Sequence, residues 1–186
     1  MTDLAARIKR CAKLSGQFVL RSGAISDTYF DKYQFEADPR LLRDIATQLA
    51  ELVPEGTHVL AGLEMGGIAI VTMLSQVTGL PAAFIRKEPK AYGTRRYAEG
   101  ADLTGKRFVL VEDVVSSGGA ILDAASKLRG DGCVAEAALC VIDRLTGGRE
   151  ALAAHGLPLK ALLTLQQIER AKRGSSPPGA DGGAGR

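Results

Sequence analysis

The sequence predicts an α/β fold: a central, mostly parallel sheet, doubly wound, with helices on both faces and a small N-terminal segment set apart from it. Three observations carry this. Short apolar, β-branched runs recur along the chain and alternate with stretches of helical periodicity, the pattern of a sheet buried on both faces. Two of these runs end in Gly-rich turns that lead straight into a helix, 63–67 and 112–119. One long polar segment, 87–106, interrupts the alternation. A loop of that length inside a compact domain is usually functional or disordered.

Taken in order, Leu4 to Leu14 reads as a surface helix ending at Ser15-Gly16, with Leu4, Ile8 and Cys11 near one face. Gln17 to Tyr33 holds two short β-prone runs around Ser22-Gly23, a hairpin pattern. Asp38-Pro39 opens a helix running to about Leu52, with Asp38 as cap and Pro39 at the first position. His58 to Gly62 is a buried strand, Leu63-Glu64-Met65-Gly66-Gly67 a turn, and Ile68 to Thr78 a helix broken by Gly79-Leu80-Pro81. Ala82 to Arg86 is the next strand, followed by the polar segment. Arg107 to Val115 is the most apolar strand, with a helix after it to Arg129. Val134 to Asp143 forms a fourth strand, Gly147 to His155 a short helix and Leu159 to Leu165 a last strand. The end, 174–186, is rich in Gly, Pro and Ser and is expected to be disordered. The expected organisation is therefore one domain over 1–173, with 1–35 as a hood and 87–106 as a mobile loop.

Bulk properties bound the function. With 186 residues, 46% hydrophobic and 24% charged, the chain has the composition of a soluble globular enzyme. Its net charge of +3 is compatible with anionic ligands and does not single out nucleic acid. The three cysteines, Cys11, Cys133 and Cys140, are dispersed and do not cluster with His58 or His155, which argues against zinc and against a disulfide framework. The first residues lack an apolar signal core and no apolar run is long enough to span a bilayer. A cytoplasmic location is expected.

The chemistry concentrates in Glu112-Asp113-Val114-Val115-Ser116-Ser117-Gly118-Gly119-Ala120. Helix N-termini leave backbone amides without partners, and their dipole favours an anion, so Ser116 to Ala120 form a candidate phosphate cup. Two acids beside such a cup would repel a bare phosphate. They make sense if the ligand also presents hydroxyls or a divalent cation, as a ribose 5-phosphate with Mg²⁺ does. An acidic cap on an ordinary strand-to-helix turn would explain the acids alone. The order G-x-x-x-x-G-K-[ST] of a P-loop is missing, so an ATPase reading fails. The polar segment adds five cations between Arg86 and Arg96, suited to a ligand ending in pyrophosphate if they are more than a solvated charge run.

The acidic, hydroxyl- and Gly-rich turn resembles the phosphoribosyl-diphosphate (PRPP) signature of type I phosphoribosyltransferases. Together with Arg86-Lys87-x-x-Lys90-x-x-Gly93, Ile142-Asp143-Arg144, Phe18-x-Leu20-x-Ser22-Gly23 and Tyr29-Phe30-Asp31, the chain is similar to orotate phosphoribosyltransferases from Phe18 to about Leu165. The resemblance implies the type I phosphoribosyltransferase fold and transfer of phosphoribosyl from PRPP to orotate in pyrimidine biosynthesis. It implies catalytic roles for Lys90, Lys87 and Asp113. It places PRPP against Arg21, Arg86, Lys87, Lys90, Tyr92, Glu112, Asp113, Val114, Val115, Ser116, Ser117, Gly118, Gly119 and Ala120, and orotate against Tyr29, Phe30, Ser116 and Arg144. It implies Mg²⁺ carried by PRPP with no direct protein ligand, and a homodimer whose loops reach the neighbouring site, with no nucleic-acid or membrane partner. Tyr92 stands where many members carry His; it keeps a hydrogen-bonding tip but no positive charge near neutral pH. Met65-Gly66 replaces a Tyr-Lys pair of some members, leaving a backbone loop to face pyrophosphate. Two alternatives remain at this stage: a phosphoribosyltransferase for a purine or uracil, and a PRPP-sensing regulator of the same fold that binds nucleic acid.

Overall fold

The computed structural model describes residues 2–19, 23–89 and 96–171. Its centre is a six-stranded sheet of β3 (Val59–Leu63), β4 (Ala82–Ile85), β5 (Ala98–Gly100), β6 (Phe108–Val115), β7 (Ala137–Asp143) and β8 (Leu159–Thr164). The spatial order is β5-β4-β3-β6-β7-β8, all parallel except the β4–β5 pair. Alternation along each strand divides the core in two. Leu60, Val109, Val111, Leu139 and Val141 face α1 (Thr2–Ala12), α3 (Pro39–Ala50), α4 (Gly66–Thr78) and α7 (Leu165–Arg170). Ala61, Phe108, Leu110, Ala138 and Cys140 face α5 (Gly119–Gly130) and α6 (Gly148–Ala154).

The chain leaves β3 to one side for β4 and returns to its other side for β6. This reversal opens a crevice at the carboxyl ends of β3 and β6, where open α/β sheets take ligands. Both Gly-rich turns lie there. Gly62, Gly66 and Gly67 make the approach possible: a Cβ on Gly66 would overlap the Asp113 carboxylate, and one on Gly67 would overlap the Val111 carbonyl.

The helix start at Asp38 is as the sequence predicts: its Oδ1 accepts from the amides of Arg40 at 2.9 Å and Leu41 at 3.0 Å, with Pro39 following. Other boundaries differ. The first helix stops at Ala12, and Lys13 already begins β1 (Lys13–Val19), paired antiparallel with β2 (Ile25–Phe30). Asp31 donates its amide to Ala12 O at 2.8 Å and starts α2 (Tyr33–Ala37), which the β-prone look of this segment concealed. The second half of the polar segment folds as well: β5 extends the sheet edge, and Tyr97 and Leu103 are buried beneath it. The strand expected from Val134 begins at Ala137, and the chain after Leu165 forms a helix with a Thr164–Gln167 capping box. Among the described residues no helix is long and apolar enough to cross a membrane.

Candidate active site

Strand β6 delivers Glu112 and Asp113 to the crevice and then turns into α5. Gly118 caps the helix in the left-handed region at φ 77°, which only glycine adopts without strain. Gly148, at the start of α6, lets that helix sit directly under the turn, where a Cβ would strike the Ser116 carbonyl. The result is a cavity of about 170 Å³ lined by Glu112, Val114, Val115, Ser116, Ser117, Gly118, Gly119, Ala120 and Ile121. Ser117, Gly119 and Ala120 are exposed to it, and the first turn of α5 presents amides with no helical partner. The sequence-predicted cup is therefore formed by one continuous turn.

The acids are held in a cluster that the sequence did not reveal. Asp113 is fully buried, and its Oδ2 lies 2.6 Å from Lys32 Nζ, which comes from the junction of β2 and α2. Its Oδ1 accepts from the Val114 amide at 2.5 Å, and Glu112 Oε1 accepts from the Asp113 amide at 3.1 Å. Burial, with the Asp113 charge adding to it, pushes the Glu112 carboxyl up to about 8. Burial likewise pushes Glu36, on α2, up to about 9, with the Asp113 hydrogen bond and charge next. Burial alone would lower Lys32, but its hydrogen bond to Asp113 and the charges of Asp113 and Glu112 outweigh that and raise it. Near neutral pH the cluster thus holds protons on Glu112 and Glu36 while Lys32 offsets Asp113, which removes the repulsion that two bare acids would exert on a phosphate. Lys32 follows Tyr29-Phe30-Asp31 directly, but nothing in that stretch points to a partner 81 residues further on.

Arg144 stands at the carboxyl end of β7, next to the cup: its amide donates to Val115 O at 2.9 Å, and its side chain is exposed. The Asp143–Arg144 pair that the sequence allows does not form. Buried Asp143 binds Arg149 instead, at 3.1 and 3.2 Å, while its Oδ1 accepts from the Leu145 amide at 2.8 Å. Leu145 takes φ 57°, so the turn carrying Arg144 is held in a shape that costs a branched residue energy. Among the described residues the Arg144 guanidinium is left without an ion pair.

In the hood, Tyr29 is 44% exposed and stacks on Phe18 at 5.4 Å, and Phe30 packs on buried Phe35 at 6.5 Å. The Lys32–Asp113 ion pair brings this end of the hood to the cup. Arg86 and Lys87 leave the carboxyl end of β4, beside the turn after β3, whose Glu64 amide donates to Ile85 O at 2.9 Å. Met65 is exposed in that turn and the Glu64–Met65 peptide is cis. Arg21, Lys90 and Tyr92 lie outside the described residues.

The comparisons agree with this geometry. The phosphoribosyl transferase domain model matches residues 33–153. The orotate phosphoribosyltransferase of a Nocardioides species is 47% identical over 169 residues, 91% of this chain and 94% of that protein. That of Methanocella arvoryzae is 37% identical over 168 residues, covering 90% and 96%. The crystal structure of Mycobacterium tuberculosis orotate phosphoribosyltransferase in complex with PRPP superposes with a TM-score of 0.78 at 26% identity, covering 90% of this chain and 98% of that one. With the acid pair, the cup and Arg144 gathered at one end of the sheet, the chain belongs to the phosphoribosyl transferase domain family and, within it, to the orotate phosphoribosyltransferases.

Proposed function

We propose that this orotate phosphoribosyltransferase moves the 5-phosphoribosyl group of PRPP onto a ring nitrogen of orotate, giving orotidine 5′-phosphate and diphosphate. The observation that carries the reading is the run from Glu112 to Ala120, which lines one cavity with Glu112 and the start of α5, with Asp113 buried behind it and Arg144, without an ion pair among the described residues, one strand away.

The amides and hydroxyls of Ser116 to Ala120 take the 5′-phosphate. Glu112 and Asp113 accept hydrogen bonds from the ribose hydroxyls, and Glu112 does so through its carbonyl oxygen while it holds its proton. The C1–oxygen bond to diphosphate breaks with its electron pair leaving on the diphosphate, and the orotate nitrogen forms the new bond to C1. The leaving group therefore needs cations, and Arg86, Lys87 and Lys90, with Arg21, are assigned to it. The reaction requires no protein nucleophile. Arg144 orients the orotate carboxylate by charge-assisted hydrogen bonds, with Ser116, Tyr29 and Phe30 bounding the base. Glu112 lines the cavity, where its carboxyl would meet the water shell of a Mg²⁺ brought in on PRPP rather than the ion itself. When bound, Mg²⁺ neutralises charge on the departing diphosphate.

We assign the assembly as a homodimer in which the segment around Lys90 serves the partner's site. Mixing inactive Lys90→Ala subunits with inactive Glu112→Gln/Asp113→Asn subunits should restore about a quarter of wild-type specific activity after random exchange, since half the dimers are mixed and each has one good site. No recovery after proven exchange would place each loop in its own site. The activity itself is tested by a screen of bases with PRPP and Mg²⁺. Orotate should turn over, and uracil, adenine and hypoxanthine should be slower by orders of magnitude; preference for any of these three would overturn the assignment.

A further inference from the structure

Lys127 and Glu64 meet the backbone of Lys87 from opposite sides, and the sequence gives no sign of this. The Lys87 amide donates to Glu64 Oε1 at 2.7 Å. Its carbonyl accepts from Lys127 Nζ at 3.1 Å. Glu64 belongs to the turn after β3, and Lys127 projects from the third turn of α5, the helix whose first turn forms the phosphate cup. Lys127 also lies 3.5 Å from the Glu88 carboxylate, 3.0 Å from Asp123 and 5.2 Å from the centre of the Tyr97 ring. The Tyr97 backbone carbonyl accepts from the Arg86 amide at 3.0 Å. One ammonium thus ties together the two strands of chain that flank 90–95.

We infer that Lys127 and Glu64 are positioning residues that clamp the two peptides flanking the Lys87 Cα and thereby set where the Lys87 ammonium meets diphosphate. The side chain of a residue leaving a strand end can swing as the peptides on either side of its Cα rotate, and holding one of them by its N–H and the other by its C=O restricts both rotations. The Lys127 half of the grip comes from the helix whose first turn is assigned the 5′-phosphate, so α5 links the two phosphate-binding ends of the site. Neither residue touches substrate. The inference rests on the reading of Lys87 as a diphosphate ligand and goes beyond it by naming what holds it.

The test is calorimetric titration of the full-length protein with Mg²⁺ and inorganic diphosphate, which needs neither orotate nor turnover. Lys127→Met should weaken diphosphate binding about five- to tenfold, the scale of one lost hydrogen bond, with an unchanged unfolding temperature. Glu64→Ala should act in the same direction by releasing the preceding peptide, which it holds through the Lys87 N–H. Lys127→Arg should bind within about twofold of wild type, because a guanidinium can donate to the same carbonyl and stack on Tyr97. In a Lys87→Ala background, Lys127→Met should add nothing further, since the group being positioned is gone. In steady-state kinetics the KM for PRPP should rise while that for orotate stays put. Unchanged diphosphate binding in both Lys127→Met and Glu64→Ala, or losses that simply add in the double variant, would overturn the clamp. If Lys87→Ala itself bound diphosphate like wild type, the underlying assignment of Lys87 would fall instead.

Discussion

Replacing Lys32 by methionine removes the only basic side chain paired with Asp113 among the described residues and keeps most of the packing volume. Asp113 is 0% exposed, whereas the Lys32 side chain is 34% exposed. Breaking a fully buried ion pair costs roughly 3–5 kcal/mol because a charge is stranded. Lys32 is partly wet, so water screens the pair and the expected loss falls to about 1–3 kcal/mol. For a domain of this size each kcal/mol moves the unfolding midpoint by about 2–4 °C, so the midpoint should fall by several degrees. The stranded Asp113 should also turn from the ribose hydroxyls, raising the KM for PRPP. The assay is thermal unfolding by circular dichroism of Lys32→Met, Asp113→Asn and the double variant at one pH. The double variant should lose less than the sum of the two singles, because neutralising Asp113 removes the penalty that Lys32→Met creates. Additive losses, or a Lys32→Met midpoint within 1 °C of wild type on the ~1–3 kcal/mol scale above, would refute the coupling between hood and cup.

Three further outcomes are expected. Arg144→Ala should lower kcat/KM for orotate by about 10- to 100-fold while PRPP binding measured by calorimetry stays within twofold, since one charge-assisted contact to the base carboxylate is lost. Lys90→Ala should lower kcat by about 10²-fold with less change in PRPP affinity, by loss of a leaving-group cation. Glu36 and Glu112 hold protons in the folded protein that the unfolded chain has released above about 4.5, so the folded state binds more protons and stability should fall as pH rises from there toward 8 and 9. Glu36→Gln should flatten that fall in a series of denaturation midpoints between pH 5 and 9, on the same linkage grounds, and an undiminished slope would count against the cluster.

Much of the fold was legible because its signals are local. The apolar runs of β3, β6 and β7, the Asp38-Pro39 helix start and the Ser-Ser-Gly-Gly turn each announce themselves within a few residues. What stayed hidden depends on partners far apart in sequence. Nothing near Lys32 says that it meets Asp113, and nothing near Asp143 says that Arg149 rather than adjacent Arg144 will take it. Strand β5 escaped because Ala98-Glu99-Gly100 has no β-branched residue and becomes a strand only by pairing with β4. The helix α2 escaped because Tyr33-Gln34-Phe35 is β-prone by composition, while its buried contact is Phe35 against Phe30. Lys87 was readable as a cation beside a strand end, but its two backbone anchors come from separate elements.

One turn is assigned to hold PRPP while the neighbouring strand end presents orotate to it. Phosphorus NMR of the wild-type protein with PRPP, Mg²⁺ and orotate tests it most directly. PRPP signals should decay only when orotate is present, with diphosphate and one new phosphate monoester growing in equal amounts. Enzyme-dependent decay of PRPP without orotate, or equal turnover when uracil replaces it, would rule out orotate as the acceptor that this site selects.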